Sequence, residues 1–241
     1  MSKLYELDRL TVAVIIPALN EALSLESTLK SLASQSAPPD RVLLVDGGSR
    51  DGTTATATAF GAGVLVVPGR GRGGQIATGV AAVLEDVVLI GHADMVFPVS
   101  CLERIRRRLV AEEDCPGGCL GHRFDSRQLI YRCIEWFDRR RARRGESYGD
   151  QAQFFRRTWL AKVGGFPEQP IMEDVELSRR LRALGCPAYL DVPVTVSPRR
   201  FERLGWWRVA WANWKFRRAY RQRGLAACLE IYERYYARGR G

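Results

Sequence analysis

No stretch of this 241-residue sequence approaches the roughly 18 to 20 consecutive apolar residues of a bilayer-spanning helix, so no membrane span is expected. The opening residues, MSKLYELDRL, lack the apolar core of a secretory signal. Cysteines are few for the length: six, at 101, 115, 119, 133, 186 and 228. A chain this long needs no disulfide staples, so they are expected to be reduced thiols of a cytoplasmic protein, at most peripheral at the inner membrane face. Cys115, Cys119 and His122 spell C-x3-C-x2-H, with Cys133 further on, but that spacing matches no common structural zinc site. Internal repeats and disordered linkers are absent, so residues 1–241 are expected to form a single domain. Acidic residues are in the minority, 27 against 37 Lys and Arg, and from Ser197 to Gly241 three Glu face twelve basic residues. Such a bias suits an anionic partner: nucleotide phosphates, an acidic membrane face or nucleic acid. No recognised nucleic-acid motif is present, so nucleic acid is not an expected partner.

What is present is a rhythm. TVAVIIP (11–17), RVLLVD (41–46), GVLVVP (63–68) and VVLI (87–90) are short apolar runs separated by helical patterns. Asn20 can cap a helix running to about Ser34, with Leu25, Leu29 and Leu32 on one face. A small-residue helix follows at about 74–85. This alternation predicts an α/β fold: a doubly wound, mainly parallel central sheet flanked by helices. Further strands are expected at 117–125 and 152–157, and extended structure at 187–197. A helix at 126–144 should turn Leu129, Ile130, Cys133, Ile134 and Phe137 inward and end in the solvated run RRRARR. GGFP (164–167) reads as a hinge-like turn and EDVELSRRLRAL (173–184) as a helix. The core is expected over about 11–197, with a helical extension over about 198–241.

In such sheets ligands bind beyond the carboxyl ends of the strands. Asp94, in VVLIGHADM, falls at such an end, as do Pro17 to Glu21, Asp46 and the segment from Gly69 to Gly74. The string GRGRGG (69–74) satisfies G-x-G-x-x-G, the dinucleotide fingerprint. Two features speak against that use: the fingerprint belongs after the first strand, and Arg70 and Arg72 lie within the loop. A basic, glycine-rich loop suits a diphosphate, whose oxygens guanidinium groups chelate in pairs. Asp46, with Gly47 and Gly48 leaving room beside it, can accept hydrogen bonds from a base or sugar, while Asp51 or Thr53 can cap the next helix. Glu173 and Asp174 either answer a helix dipole or, beside a hinge, supply a general base.

Taken in order, PALNE, VDGGSRDGT, GRGRGG, HAD and GGFPEQPIMEDVELSRRL resemble glycosyltransferase family 2, the inverting enzymes of GT-A fold. The resemblance spans roughly residues 11–190. It is especially similar to a small bacterial subgroup annotated with selenium- or arsenosugar-related genes, in which Asp-x-Asp is written His-Ala-Asp. The resemblance implies a nucleotide-sugar donor, UDP-sugar foremost, and an unidentified small-molecule or lipid acceptor. Pro17, Ala18, Asn20, Glu21, Asp46 and Gly47 would line the nucleotide pocket, with Arg70 and Arg72 facing the diphosphate. Gln75, His92, Ala93, Gly149, Asp150 and Gln151 would complete the donor site. Asp94, with His92, would hold Mg²⁺ or Mn²⁺, and Asp174, with Glu173 beside it, would be the catalytic base. Two positions depart from the family pattern: His92 replaces the first acid of Asp-x-Asp, and Gly47 the second acid of Asp-Asp-Gly-Ser.

Trp206, Trp207, Trp211 and Trp214 are interleaved with basic residues over 203–218. These rings either cover protein, including a second copy in a homodimer, or lie on an anionic membrane surface. Burial against protein is the commoner fate. Two other functions compete with glycosyl transfer: an NAD(P)-dependent oxidoreductase built on GRGRGG, and a non-catalytic nucleic-acid binder favoured by charge alone.

Overall fold

The structure, a computed structural model, describes residues 10–236. Its first half is built on four parallel strands, β1 (Val12–Ala18), β2 (Arg41–Asp46), β3 (Gly63–Val66) and β4 (Val87–Ile90). β1 and β4 are buried along their whole length, which explains their unbroken apolar runs: strands covered on both faces have no polar side to show. The registers Ala18↔Asp46, Asp46↔Val66 and Ile15↔Ile90 bring the carboxyl ends of all four strands to one edge. The intervening helices are α1 (Ala22–Ala33), α2 (Thr53–Ala59) and α3 (Gly71–Ala81). α3 lies close on the sheet because of Gly79, where a Cβ would come within 2.8 Å of Ile15 and Val45. Ile76, Val80 and Val83 join those residues in the core.

The second half adds β5 (Met95–Val96), β6 (Gly117–Phe124), β7 (Gln153–Arg156) and β8 (Ala188–Val196). The sheet runs β3-β2-β1-β4-β7-β6-β8-β5. β7 is antiparallel to both β4 and β6, β5 is antiparallel to β8, and the other four pairings are parallel. The mainly parallel α/β sheet is therefore present, joined by helices α4 (Cys101–Ala111), α5 (Leu129–Ala142), α6 (Arg157–Lys162) and α7 (Glu173–Leu184). Strand order reverses between β1 and β4, which makes the crevice beyond their carboxyl ends the topological switch point where such sheets bind ligands.

Three local expectations need correcting. Asn20 does not cap α1: it adopts a left-handed conformation (φ 57°), and its Oδ1 accepts the Arg50 amide at 2.9 Å. α3 starts at Gly71 rather than 74, the glycines forming its first turn, and ends at Ala81. α5 turns the other way round. Leu129 and Phe137 are 80% and 64% exposed and Cys133 is exposed, while Tyr131 and Ala142 are buried. Polar contacts decide this face. Arg132 bridges Glu135 and the Phe124 carbonyl, and Glu135 takes the Phe124 amide, so the polar edge of α5 is sewn to the end of β6.

Residues from Ser197 onward form a second compact unit. It contains α8 (Arg199–Leu204) and α9 (Trp206–Tyr236), the latter broken at Gly224, whose φ is 71°. Val209, Phe216, Ala227 and Cys228 are buried, and the Cys228 thiol reaches the Phe216 carbonyl at 3.3 Å. The four tail tryptophans are 44–60% exposed, and Lys215 lies over the Trp211 ring at 3.9 Å. No helix among the described residues is long and apolar enough to cross a membrane.

Candidate active site

The loops after β1 and β2 are fastened to each other. Gln75, buried on α3, donates both amide hydrogens, to the Ala18 carbonyl at 2.8 Å and the Val45 carbonyl at 2.9 Å. Asn20 N bonds the Ser49 hydroxyl at 2.8 Å, and Gly47 N bonds the Ala18 carbonyl at 2.8 Å. Asp46 is 1% exposed, and its carboxylate accepts the amides of Gly48 and Ser49 and the Ser49 hydroxyl. It therefore folds its own loop into an Asx-type turn, which Gly48 at φ 96° permits. Asp51 serves two helix starts at once, accepting from Ala22 N and Thr53 N. The bond from the Thr53 hydroxyl is the largest cause holding its carboxyl below the usual value. Glu21 donates its amide to Thr53 Oγ1 and takes the Ser24 hydroxyl at 2.7 Å. Pro17 and Ala18 close the end of β1 opposite Val45 and Asp46.

Across the switch point, the residues after β4 meet the start of α7. Arg72 Nη2 lies 2.5 Å from Glu173 Oε1 and 3.8 Å from Asp174 Oδ2. Asp174 Oδ2 accepts the Gly149 amide at 2.7 Å, and its Oδ1 accepts the Val175 amide. Gly149 opens a single tight turn, Gly149–Gln151, and a Cβ placed on it would lie 3.0 Å from His92 Nε2 and 3.5 Å from both Arg72 Nη1 and Asp174 Oδ2. Three segments distant in sequence thus surround one glycine. Glu173 is 2% exposed, and burial raises its carboxyl above the ordinary range although Arg72 pulls it down. Burial, then the charge of Arg72, pushes His92 down to about 3, so its ring is neutral at physiological pH. Its Nε2 is buried without a hydrogen-bond partner. Asp94, half-buried, stands two residues on, past the buried Ala93.

Backbone strain gathers at the same place. Among the described residues, three non-glycines have positive φ: Asn20, Ala152 and Met172 (φ 61°). They lie beside the β1 loop, the Gly149–Gln151 turn and the Glu173–Asp174 pair, where strain is tolerated only if the surroundings enforce it.

The segment between α6 and α7 is fastened rather than open. Arg70 Nη2 pairs with Glu168 at 2.8 Å, and Arg180 holds the Gly165 carbonyl at 2.9 Å. A Cβ on Gly73 would fall 1.9 Å from the Gln169 carbonyl oxygen. That glycine of GRGRGG therefore admits the protein's own backbone, not a dinucleotide. The motif follows the third strand instead of the first, and nothing supports the oxidoreductase or nucleic-acid alternatives.

Next to Gly149, Gln151 Oε1 accepts the Tyr148 amide at 3.2 Å. The Asp150 carboxylate faces His122 on β6 and Asp138 on α5, and burial raises it above the ordinary range. Of the arginine run, Arg141 is not a solvated helix end: it pairs with Asp138 at 2.5 Å and lies over the Tyr148 ring at 3.7 Å. His122 joins none of the cysteines, which are free thiols. Cys119 is pushed up to about 12 by burial.

Residues 13–162 match the family described as glycosyl transferase family 2. The chain belongs to glycosyl transferase family 2. Compared with curated proteins by sequence, it matches none. Among solved structures, TarS of S. aureus is similar with a TM-score of 0.63 at 17% identity, covering 78% of this chain and 36% of that one. Mannosyltransferase PcManGT from Pyrobaculum calidifontis, in complex with GDP-Man and Mn²⁺, gives 0.61 at 22% identity, over 86% of this chain and 60% of that one. Glucosyl-3-phosphoglycerate synthase from Mycobacterium tuberculosis, in complex with Mg²⁺ and UDP, gives 0.55 at 22% identity, over 81% and 74%. The chain thus spans only about a third to three-fifths of the first two, and at these identities the likeness is one of fold. This family 2 chain carries two polar residues of α5 that sequence reasoning missed: Arg141, read as part of a solvated run, and Asp138, which belonged to no motif. The signal for them was a polar stripe three residues apart on a helix whose apolar residues compete for the same face.

Proposed function

We propose that the protein transfers a sugar, with inversion, from a nucleoside-diphosphate donor, UDP-sugar foremost, to an acceptor hydroxyl or comparable nucleophile. The observation that supports this reading is the meeting of Arg72, Glu173, Asp174 and His92 around Gly149 at the switch point of a family 2 fold. The fastened loops of Pro17 to Glu21 and Asp46 to Ser49 form the shelf for the nucleotide. Arg72 faces the departing diphosphate, and its charge counts for more as negative charge grows on the leaving group. Glu173, buried and paired to Arg72, aims that guanidinium. Asp174 is 14% exposed at its side chain and takes the proton of the attacking acceptor, while the Gly149 amide fixes its orientation.

The donor set fits a divalent ion. His92 is neutral with an unpartnered Nε2, and Asp94 adds a carboxylate two residues away. One or two protein ligands plus phosphate oxygens and water is an ordinary way to bind Mg²⁺ or Mn²⁺. Asp94 and His92 would hold such an ion, which would supply charge neutralisation at the diphosphate. The test is donor turnover, read as UDP release from a panel of UDP-sugars with Mn²⁺. Asp174→Asn should lower turnover by about 10² to 10⁴ at unchanged melting temperature. Wild-type turnover in that variant rejects Asp174 as the base.

A further inference from the structure

We propose that the protein binds a divalent transition-metal ion at a second site, formed by His122, Asp138 and Asp150 and separate from the donor diphosphate. The three residues come from β6, α5 and the Gly149–Gln151 turn, so no local sequence pattern announces them. Each offers one ligand atom, and these atoms lie within 4.8 Å of one another. His122 Nε2 is 3.5 Å from Asp138 Oδ2 and 4.0 Å from Asp150 Oδ2. Those separations are too long for hydrogen bonds. They suit ligands about 2.0–2.2 Å from a shared ion, which stand roughly 3–4 Å apart.

The histidine is the independent witness. Its side chain is 1% exposed, its Nε2 has no hydrogen-bond partner, and that atom points between the two carboxylates. A buried polar atom left unpaired is costly and calls for an explanation. Beside it the pairing of β6 with β8 slips from Leu120↔Leu190 to His122↔Val194, the two extra residues lying on β8 opposite this histidine. Asp150 Oδ1 is likewise buried without a partner. Asp138 keeps its other oxygen on Arg141, as ligating carboxylates are commonly held from behind. One imidazole and two carboxylates fit an ion of intermediate hardness such as Mn²⁺ or Zn²⁺. Bound there, it ties the turn that carries Gly149, and hence the amide that orients Asp174, to the sheet and to α5.

The experiment titrates Mn²⁺ into chelator-treated, nucleotide-free full-length protein and follows the loss of the free-ion signal by electron paramagnetic resonance. One ion should bind per chain in the wild type and in Asp94→Asn, with affinity about 10- to 100-fold weaker in His122→Gln and Asp138→Asn. No bound ion without nucleotide overturns the proposal, as does unchanged binding in the His122 and Asp138 variants. Loss of all binding in Asp94→Asn overturns it too, by assigning the ion to the donor site. Should either variant fail to fold by circular dichroism, pulsed resonance on the Asp94→Asn/His92→Gln protein, whose one remaining histidine is His122, decides. A ¹⁴N coupling from a coordinated imidazole supports the site, and bound Mn²⁺ without one refutes it.

Discussion

Replacing Arg72 with alanine removes the partner of a buried carboxylate in the site. Glu173 is 2% exposed; its Oε1 rests on Arg72 at 2.5 Å, and its Oε2 has no partner. Removing one member of a fully buried ion pair costs about 3–5 kcal/mol. The Arg72 side chain is 45% exposed, so water already screens the pair, and a loss of about 2–3 kcal/mol is expected at neutral pH. For a chain of this size that lowers the melting temperature by about 5–10 °C. The sign with pH follows from burial. Glu173 is already raised above its ordinary value of 4.5, and loss of Arg72 raises it further. The folded variant then holds a proton that the unfolded chain releases, so its stability falls as pH rises from about 4.5 through the folded value. Urea unfolding at pH 5 and pH 8 should show the gap between wild type and Arg72→Ala widening at pH 8. The double variant Arg72→Ala/Glu173→Gln should recover most of it, because an amide carries no charge to strand. An equal gap at both pH values, or a double variant as unstable as the single one, refutes the reasoning.

Two further substitutions test the packing that shapes the site. Gly73→Ala sets a methyl 1.9 Å from the Gln169 carbonyl oxygen and should cost at least about 2 kcal/mol while dislodging the Glu168–Arg70 tie, visible as a lower urea midpoint; an unchanged midpoint contradicts it. Gly149→Ala crowds His92 at 3.0 Å and should leave the fold intact but lower turnover at least about tenfold, since small misplacements at a reacting centre are expensive; wild-type kinetics contradict it.

Much of the fold was legible because parallel strands buried on both faces must be written as apolar runs. Arg41–Asp46 and Glu173–Leu184 fall where the pattern put them. α5 was misoriented because its apolar residues are on the exposed side while Arg132, Glu135 and Asp138 face inward, and a hydrophobic pattern is blind to paired polar groups. The residues around Gly149 could be named one by one, as ends of strands and a helix start. Their convergence on one backbone position is a property of chain reversal at β7, which no local spacing encodes. GRGRGG is the converse case: its glycine at 73 makes room for residues almost a hundred positions away, which the motif alone does not show.

Calorimetric titration of UDP in the presence of Mn²⁺ into wild-type protein and Asp94→Asn tests the donor-site account most directly. Wild type should bind one UDP, and Asp94→Asn should bind it at least about tenfold more weakly, the loss shrinking when Mn²⁺ is withheld. Equal affinity in the two proteins, or no UDP binding by the wild type, contradicts it.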